Sequence, residues 1–156
     1  MNGATDRLEM ETGGMAYREK LAWAGLISLV LCYGLYFIFR PLDDAASVID
    51  LLRRLGGFAA ATVGRGLLWG AAALYLMWKT PRADRAGPDE RDRSISRRGS
   101  AYAYGVMIAG MIVVGIIMPF SDHGWAIVNA ALFAIAVSEA VRLMVAIASY
   151  RRGWHG

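Results

Sequence analysis

LAWAGLISLVLCYGLYFIF, residues 21–39, runs for 19 residues without a charge and decides the fold class. As an α-helix it measures about 28 Å, close to the roughly 30 Å of a bilayer's hydrocarbon core. Arg40-Pro41 closes it. A second uncharged run, 101–120, ends at Pro119 and the polar turn Ser121-Asp122-His123-Gly124. Two further stretches reach crossing length only by accepting charges. The segment 66–78 is apolar but only 13 residues long, whereas a span needs about 20. It therefore extends upstream through Arg65 to about Gly56. The last stretch runs from Trp125 to about Ser149 and contains Glu139 and Arg142. The sequence thus predicts an all-α fold, a transmembrane four-helix bundle with spans at about 21–39, 56–78, 101–120 and 125–149. An N-terminal tail (1–20), a loop (79–100) and a C-terminal tail (150–156) complete it. Three spans, or a re-entrant segment, would leave a long apolar stretch unburied.

Composition agrees. Of 156 residues, 56% are hydrophobic, yet 17 Lys/Arg and 13 Asp/Glu remain, and they cluster between the apolar stretches. Segregation of that kind marks a bilayer protein rather than amphipathic soluble elements. The formal charge of +4 points to lipid rather than nucleic acid, because the basic residues flank the apolar spans. Cys32 stands alone inside the first span and reads as a packing residue. The first 20 residues are polar and of mixed charge, and no small-residue cleavage site follows the first apolar run. That run reads as an uncleaved first helix.

Orientation follows from the distribution of Lys and Arg. With four spans, the 1–20 tail, the 79–100 loop and the 150–156 tail share one side and hold 12 basic residues. The other side has Arg40, Arg53 and Arg54 only. Both termini and the 79–100 loop are therefore expected in the cytoplasm, in a multi-pass membrane protein.

The loops have their own signals. From Asp43 to Gly56 the order is acids first, Val48, Ile49, Leu52 and Leu55 at helical spacing, then Arg53-Arg54 and the stop Gly56-Gly57. This suits the helix dipole and predicts either a short interfacial helix or an N-terminal extension of the second span. In the cytoplasmic loop, Thr80-Pro81 ends the second helix. Pro88 is followed by Asp89-Glu90-Arg91-Asp92-Arg93, with Asp89 and Arg93 in the favourable i,i+4 order. That segment reads as a solvated helical lead-in to the third span, and also as the candidate surface for docking a protein partner.

Three short motifs carry a resemblance. Tyr17-Arg18-Glu19-Lys20-Leu21-Ala22-Trp23 leads into the first span, Asp89-Glu90-Arg91-Asp92-Arg93 precedes the third, and Tyr150-Arg151-Arg152-Gly153 closes the fourth. Together they resemble a group of small, uncharacterised bacterial four-span membrane proteins. The resemblance implies bacterial origin and topology, and no activity.

Arg65 and Glu139 are the residues that need a physical explanation. A charge at mid-bilayer costs roughly 2.5–3.5 kcal/mol on insertion scales, so such residues face a protein interior and find partners. Measured from the outer ends of their spans, Arg65 lies about 13 Å deep and Glu139 about 21 Å. Arginine is long enough to cover much of the difference, so an Arg65–Glu139 pair between the second and fourth spans is expected. The rival is Arg142, one turn from Glu139 on the same helix, although Arg142 is also close enough to the cytoplasmic end to snorkel. Either pair has two readings: an ion pair that fixes which helices pack together, or a proton or cation site at Glu139 whose charge state is coupled to movement. Asn129, on the same broad face as Glu139, suits an interhelical hydrogen bond.

Small residues recur on the same spans. Gly66 and Gly70 form a GxxxG, with Gly56, Ala60 and Gly64 above them, and Ala126, Ala130, Ala134 and Ser138 form a second stripe. They predict close internal packing, with homo-oligomerisation through Gly66 and Gly70 as the alternative. Gly105, Gly110 and Gly115 recur every five residues and form no single stripe. His123 and His155 fall on opposite sides, so no metal site is expected. No catalytic set and no cofactor motif is present. The function expected from sequence is a non-enzymatic accessory, regulatory or immunity-type subunit acting through a partner. The alternative is a small ion-coupled transporter using the buried Glu/Arg pair.

Overall fold

The computed structural model describes residues 17–39, 47–81, 89–122 and 124–152. All regular structure there is helical: α1 (Tyr17–Phe39), α2 (Val48–Lys79), α3 (Glu90–Ile112) and α4 (Trp125–Arg151). A π turn (Val113–Ile117) and a 3-10 turn (Met118–Phe120) extend α3 to a continuous helical stretch ending at Phe120. Four helices are long and apolar enough to cross a membrane. Arg40, Asp43, Asp44, His123 and His155 lie outside the described residues.

Of the two forms open to the outer loop, α2 takes the extension. It starts at Val48, with Ser47 as N-cap accepting from the Asp50 N–H at 3.2 Å. It then continues through Gly56-Gly57 without a break for 32 residues. The expected glycine stop fails because no left-handed residue is needed there and the apolar spacing runs on past it. Asp50 and Arg54 pair one turn apart at 2.7 Å, and Arg54 lies over the Trp125 ring at 5.5 Å, tying the first turns of α2 to the start of α4. At about 48 Å, α2 exceeds the hydrocarbon thickness and must tilt or project beyond it.

The start of α3 is a reciprocal cap. Asp89 Oδ1 accepts from the Asp92 N–H at 2.7 Å, and Asp92 Oδ2 accepts from the Asp89 N–H at 3.3 Å. The far end of the stretch departs from α geometry. Pro119 has no N–H to donate to the carbonyl four residues back, and its ring crowds that turn. The chain absorbs the defect by widening to a π turn at Val113–Ile117 and tightening to a 3-10 turn at Met118–Phe120. Gly124 then reverses the chain into α4 with φ 61° and ψ −130°, backbone that L side chains rarely adopt.

The helices run alternately up and down, and they pack in the spatial order α2–α1–α4–α3. Between α1 and α2, Tyr33 stacks on Phe58 at 5.2 Å. Between α1 and α4, Phe37 meets Phe133 edge-on at 5.3 Å, and Leu29, Tyr33, Ala136 and Leu143 form the buried core. Small residues set the α3–α4 approach. A Cβ on Gly110 would lie 2.7 Å from the Ala134 Cβ, and one on Gly99 would lie 3.1 Å from the Arg142 carbonyl oxygen. In contrast, α2 and α3 barely touch. The helices therefore enclose a gap with α1 and α4 as its floor and α2 and α3 as its walls. Outward faces are apolar: Ile38, Leu67, Trp78 and Phe120 are among the most exposed side chains, as acyl chains require of a crossing helix.

Candidate functional site

The gap between α2 and α3 holds a cavity of about 560 Å³, lined by residues from all four helices. That volume falls within the roughly 300–1,000 Å³ of small-molecule sites. At its deep end stands Glu139, 14 residues into α4. Glu139 Oε1 accepts from Arg65 Nη2 at 2.8 Å and from Arg142 Nη2 at 2.6 Å, and Oε2 accepts from Arg142 Nε at 2.9 Å. The two pairings that sequence presents as rivals therefore form together. Arg142 does not snorkel away: its planar fork binds the carboxylate one turn back with two donors. Helix geometry explains both contacts. An i,i+3 separation places Arg142 beside Glu139 on one face of α4, while α2 and α4 bring Arg65 to the same level from across the gap.

Arg65 is positioned from behind. The Thr62 hydroxyl donates to the Phe58 carbonyl at 2.9 Å, so the Tyr33 hydroxyl is the donor to Thr62 Oγ1 at 3.2 Å. This orients the Tyr33 ring, over which the Arg65 guanidinium sits at 5.7 Å. The side chains of Arg65 and Glu139 are 22% and 27% exposed, and Arg142 is 41% exposed. They are therefore open to whatever fills the cavity, and the cluster is neither a dry core pair nor a surface pair.

A second polar layer borders the cavity at the end where α1 begins and α4 finishes. Arg18 Nε meets Asp92 Oδ2 at 2.6 Å, and the Tyr150 hydroxyl donates to Asp92 Oδ1 at 2.8 Å. Beside them Arg151 pairs with Glu19 at 3.4 Å and covers the Trp23 ring at 5.5 Å. Arg18, Asp92 and Tyr150 line the cavity together with the deep trio. These residues come from the three charged motifs at the helix ends, and nothing within one motif signals its contact with another.

No family model, curated protein or solved structure matches this chain.

The remaining sequence candidates fall elsewhere. Asn129 is buried, 3% exposed, but it does not line the cavity, and its Oδ1 finds no hydrogen-bond partner among the described residues. In the segment 89–93, Asp89 and Asp92 are occupied in the cap, and Asp92 also turns inward to Arg18 and Tyr150. Only Glu90 and Arg93 join Asp89 as exposed positions, with Arg91 half-buried. Gly66 lines the cavity, and a Cβ on Gly66 or Gly70 would meet nothing within 4 Å. That GxxxG therefore takes no part in internal packing, whereas Gly110, outside any stripe, packs most closely. Among the described residues no group of His, Cys, Asp or Glu could hold a metal.

Proposed function

We propose that this is a small, non-enzymatic, multi-pass protein of a bacterial inner membrane that carries a solute through a charged cavity, with Glu139 as the coupling charge. Both termini and the 79–100 segment stand in the cytoplasm, as the excess of Lys and Arg on that side favours. The observation that carries the reading is the convergence of Arg65 from α2 and Arg142 from α4 on one carboxylate at the deep end of a cavity walled by four helices. A pair that merely fixed helix packing would be expected to close around itself. Here the charges border open volume, in the arrangement used by intramembrane ion and solute sites.

The test uses the full chain in proteoliposomes on a solid-supported membrane. Concentration jumps of protons and of sodium phosphate should produce charge movement with the wild type. Glu139→Gln should abolish that signal while purifying as a monodisperse, helical protein. Equal charge movement in the variant, or none in the wild type, rejects the carrier reading.

A second reading, a subunit that acts through a protein partner, draws on the open glycine face of α2. A Cβ on Gly70, which does not line the cavity, would meet nothing within 4 Å, so another helix can approach there. If that face is used, Gly70→Leu displaces a stoichiometric companion, or a second copy, from the protein purified in mild detergent.

A further inference from the structure

The charges lining the cavity do not balance. Among the described residues, Arg18, Arg65 and Arg142 face Asp92 and Glu139, so three guanidiniums against two carboxylates leave one positive charge in excess. Arginine stays protonated in proteins, so the excess cannot be relieved by losing a proton. Inside a bilayer such a charge draws in an anion.

The donors are also unequally used. Arg65 gives Glu139 its Nη2, and Arg142 gives its Nε and one Nη. Arg65 Nε and Nη1 and Arg142 Nη1 have no acceptor among the described residues. Spare N–H groups from two helices, bordering one cavity, suit a tetrahedral group that offers two or more oxygens in different directions. A carboxylate presents two coplanar oxygens and is already supplied by Glu139. A phosphate presents its oxygens tetrahedrally and forms forked contacts with guanidinium. One negative charge, as on a phosphodiester, neutralises the excess.

Resting on the reading of this cavity as a solute site, we propose that its ligand is a phosphate-bearing anion bound by Arg65 and Arg142, with Arg18 at the mouth. Glu139 competes with that ligand for the same guanidiniums. Two sources share this chemistry. An anionic phospholipid headgroup reaches the arginines sideways, through the flank where α2 and α3 barely touch. Free phosphate enters from the end marked by Arg18, Asp92 and Tyr150.

The experiment is native mass spectrometry of the full chain released from nanodiscs of equal phosphatidylglycerol and phosphatidylcholine, alongside thermal unfolding with inorganic phosphate. Phosphatidylglycerol retained about tenfold over phosphatidylcholine identifies the headgroup. A midpoint raised by inorganic phosphate, with no lipid preference, identifies the free anion. In either arm Arg142→Gln weakens binding about tenfold, Arg65→Lys, which keeps the charge but loses the planar fork, weakens it less than Arg65→Gln does, and Glu139→Gln strengthens it, because the internal competitor is gone. Equal retention of the two lipids with an unmoved midpoint overturns the proposal, as does weaker binding in Glu139→Gln. The Glu139 and Arg65→Lys arms decide the matter if Arg142→Gln does not fold. Charge movement that depends on Glu139, without any anion preference, overturns the ligand class and keeps the carrier reading. Anion binding without charge movement does the reverse.

Discussion

At the residue scale, the property that matters most is the division of one carboxylate between two arginines. Glu139 holds Arg65 across the gap and Arg142 along its own helix. This changes what a charge reversal should do. Were Arg65 and Glu139 an isolated pair, swapping them would restore the contact completely. Here the swap places a second arginine one turn from Arg142. We expect Arg65→Glu and Glu139→Arg each to lower the unfolding midpoint in detergent, and the double swap to recover only part of the loss. Full recovery would mean that Arg142 contributes nothing to the cluster. Tyr150 offers a cleaner single deletion. Tyr150→Phe removes the hydroxyl bond to Asp92 and keeps the ring, so it should cost about 1 kcal/mol in chemical unfolding. Sequence located Arg65 and Glu139 because charges inside apolar runs stand out. It missed Arg18 and Asp92 as partners because charges near helix ends are ordinary there, and nothing local distinguishes an inward-turned one.

Elements show where local rules gave way to packing. Gly105, Gly110 and Gly115 are indistinguishable in a five-residue pattern, yet only a Cβ on Gly110 would strike another helix, at 2.7 Å from the Ala134 Cβ. Gly110→Ala should therefore separate α3 from α4 and destabilise the protein by about 1–3 kcal/mol. Gly105→Ala meets nothing within 4 Å and should leave the unfolding midpoint unchanged or slightly raised. Similar losses for the two variants would place the α3–α4 contact elsewhere. Pro119 makes a separate prediction. Pro119→Ala restores the missing donor, so the π turn at Val113–Ile117 should revert to α geometry. Amide exchange across residues 113–120 would then slow, and unchanged exchange would show that packing rather than proline holds the π turn. The extension of α2 back to Val48 illustrates the limit of punctuation signals. Two glycines mark a possible stop, but the helix ends only where a capping residue and the spacing of apolar side chains agree.

For the whole molecule, the telling feature is the spatial order α2–α1–α4–α3, which leaves a charged gap between the outer pair. If water fills that gap, a cysteine at Thr62, in a background with Cys32→Ala, should react with a water-soluble maleimide far faster than a cysteine at Leu67. Leu67 is 70% exposed but on an apolar outer surface, whereas Thr62 lines the cavity. Equal rates would mean that the cavity is dry, and the site would then be a structural ion pair. The sequence by itself determined that there are four apolar helices, roughly where each of them ends, and which charges had to be accounted for, while α2 and α3 begin well before their apolar runs. It could do so because apolar length and interrupted apolarity are written along the chain. Tertiary structure alone decided that Arg65 and Arg142 share Glu139, that the three end motifs converge, and that α2 and α3 stand apart. Those facts depend on helix order and rotation about each axis. In lipid, hydrophobicity does not choose between one apolar face and another, so small contacts such as Gly110 on Ala134 set them.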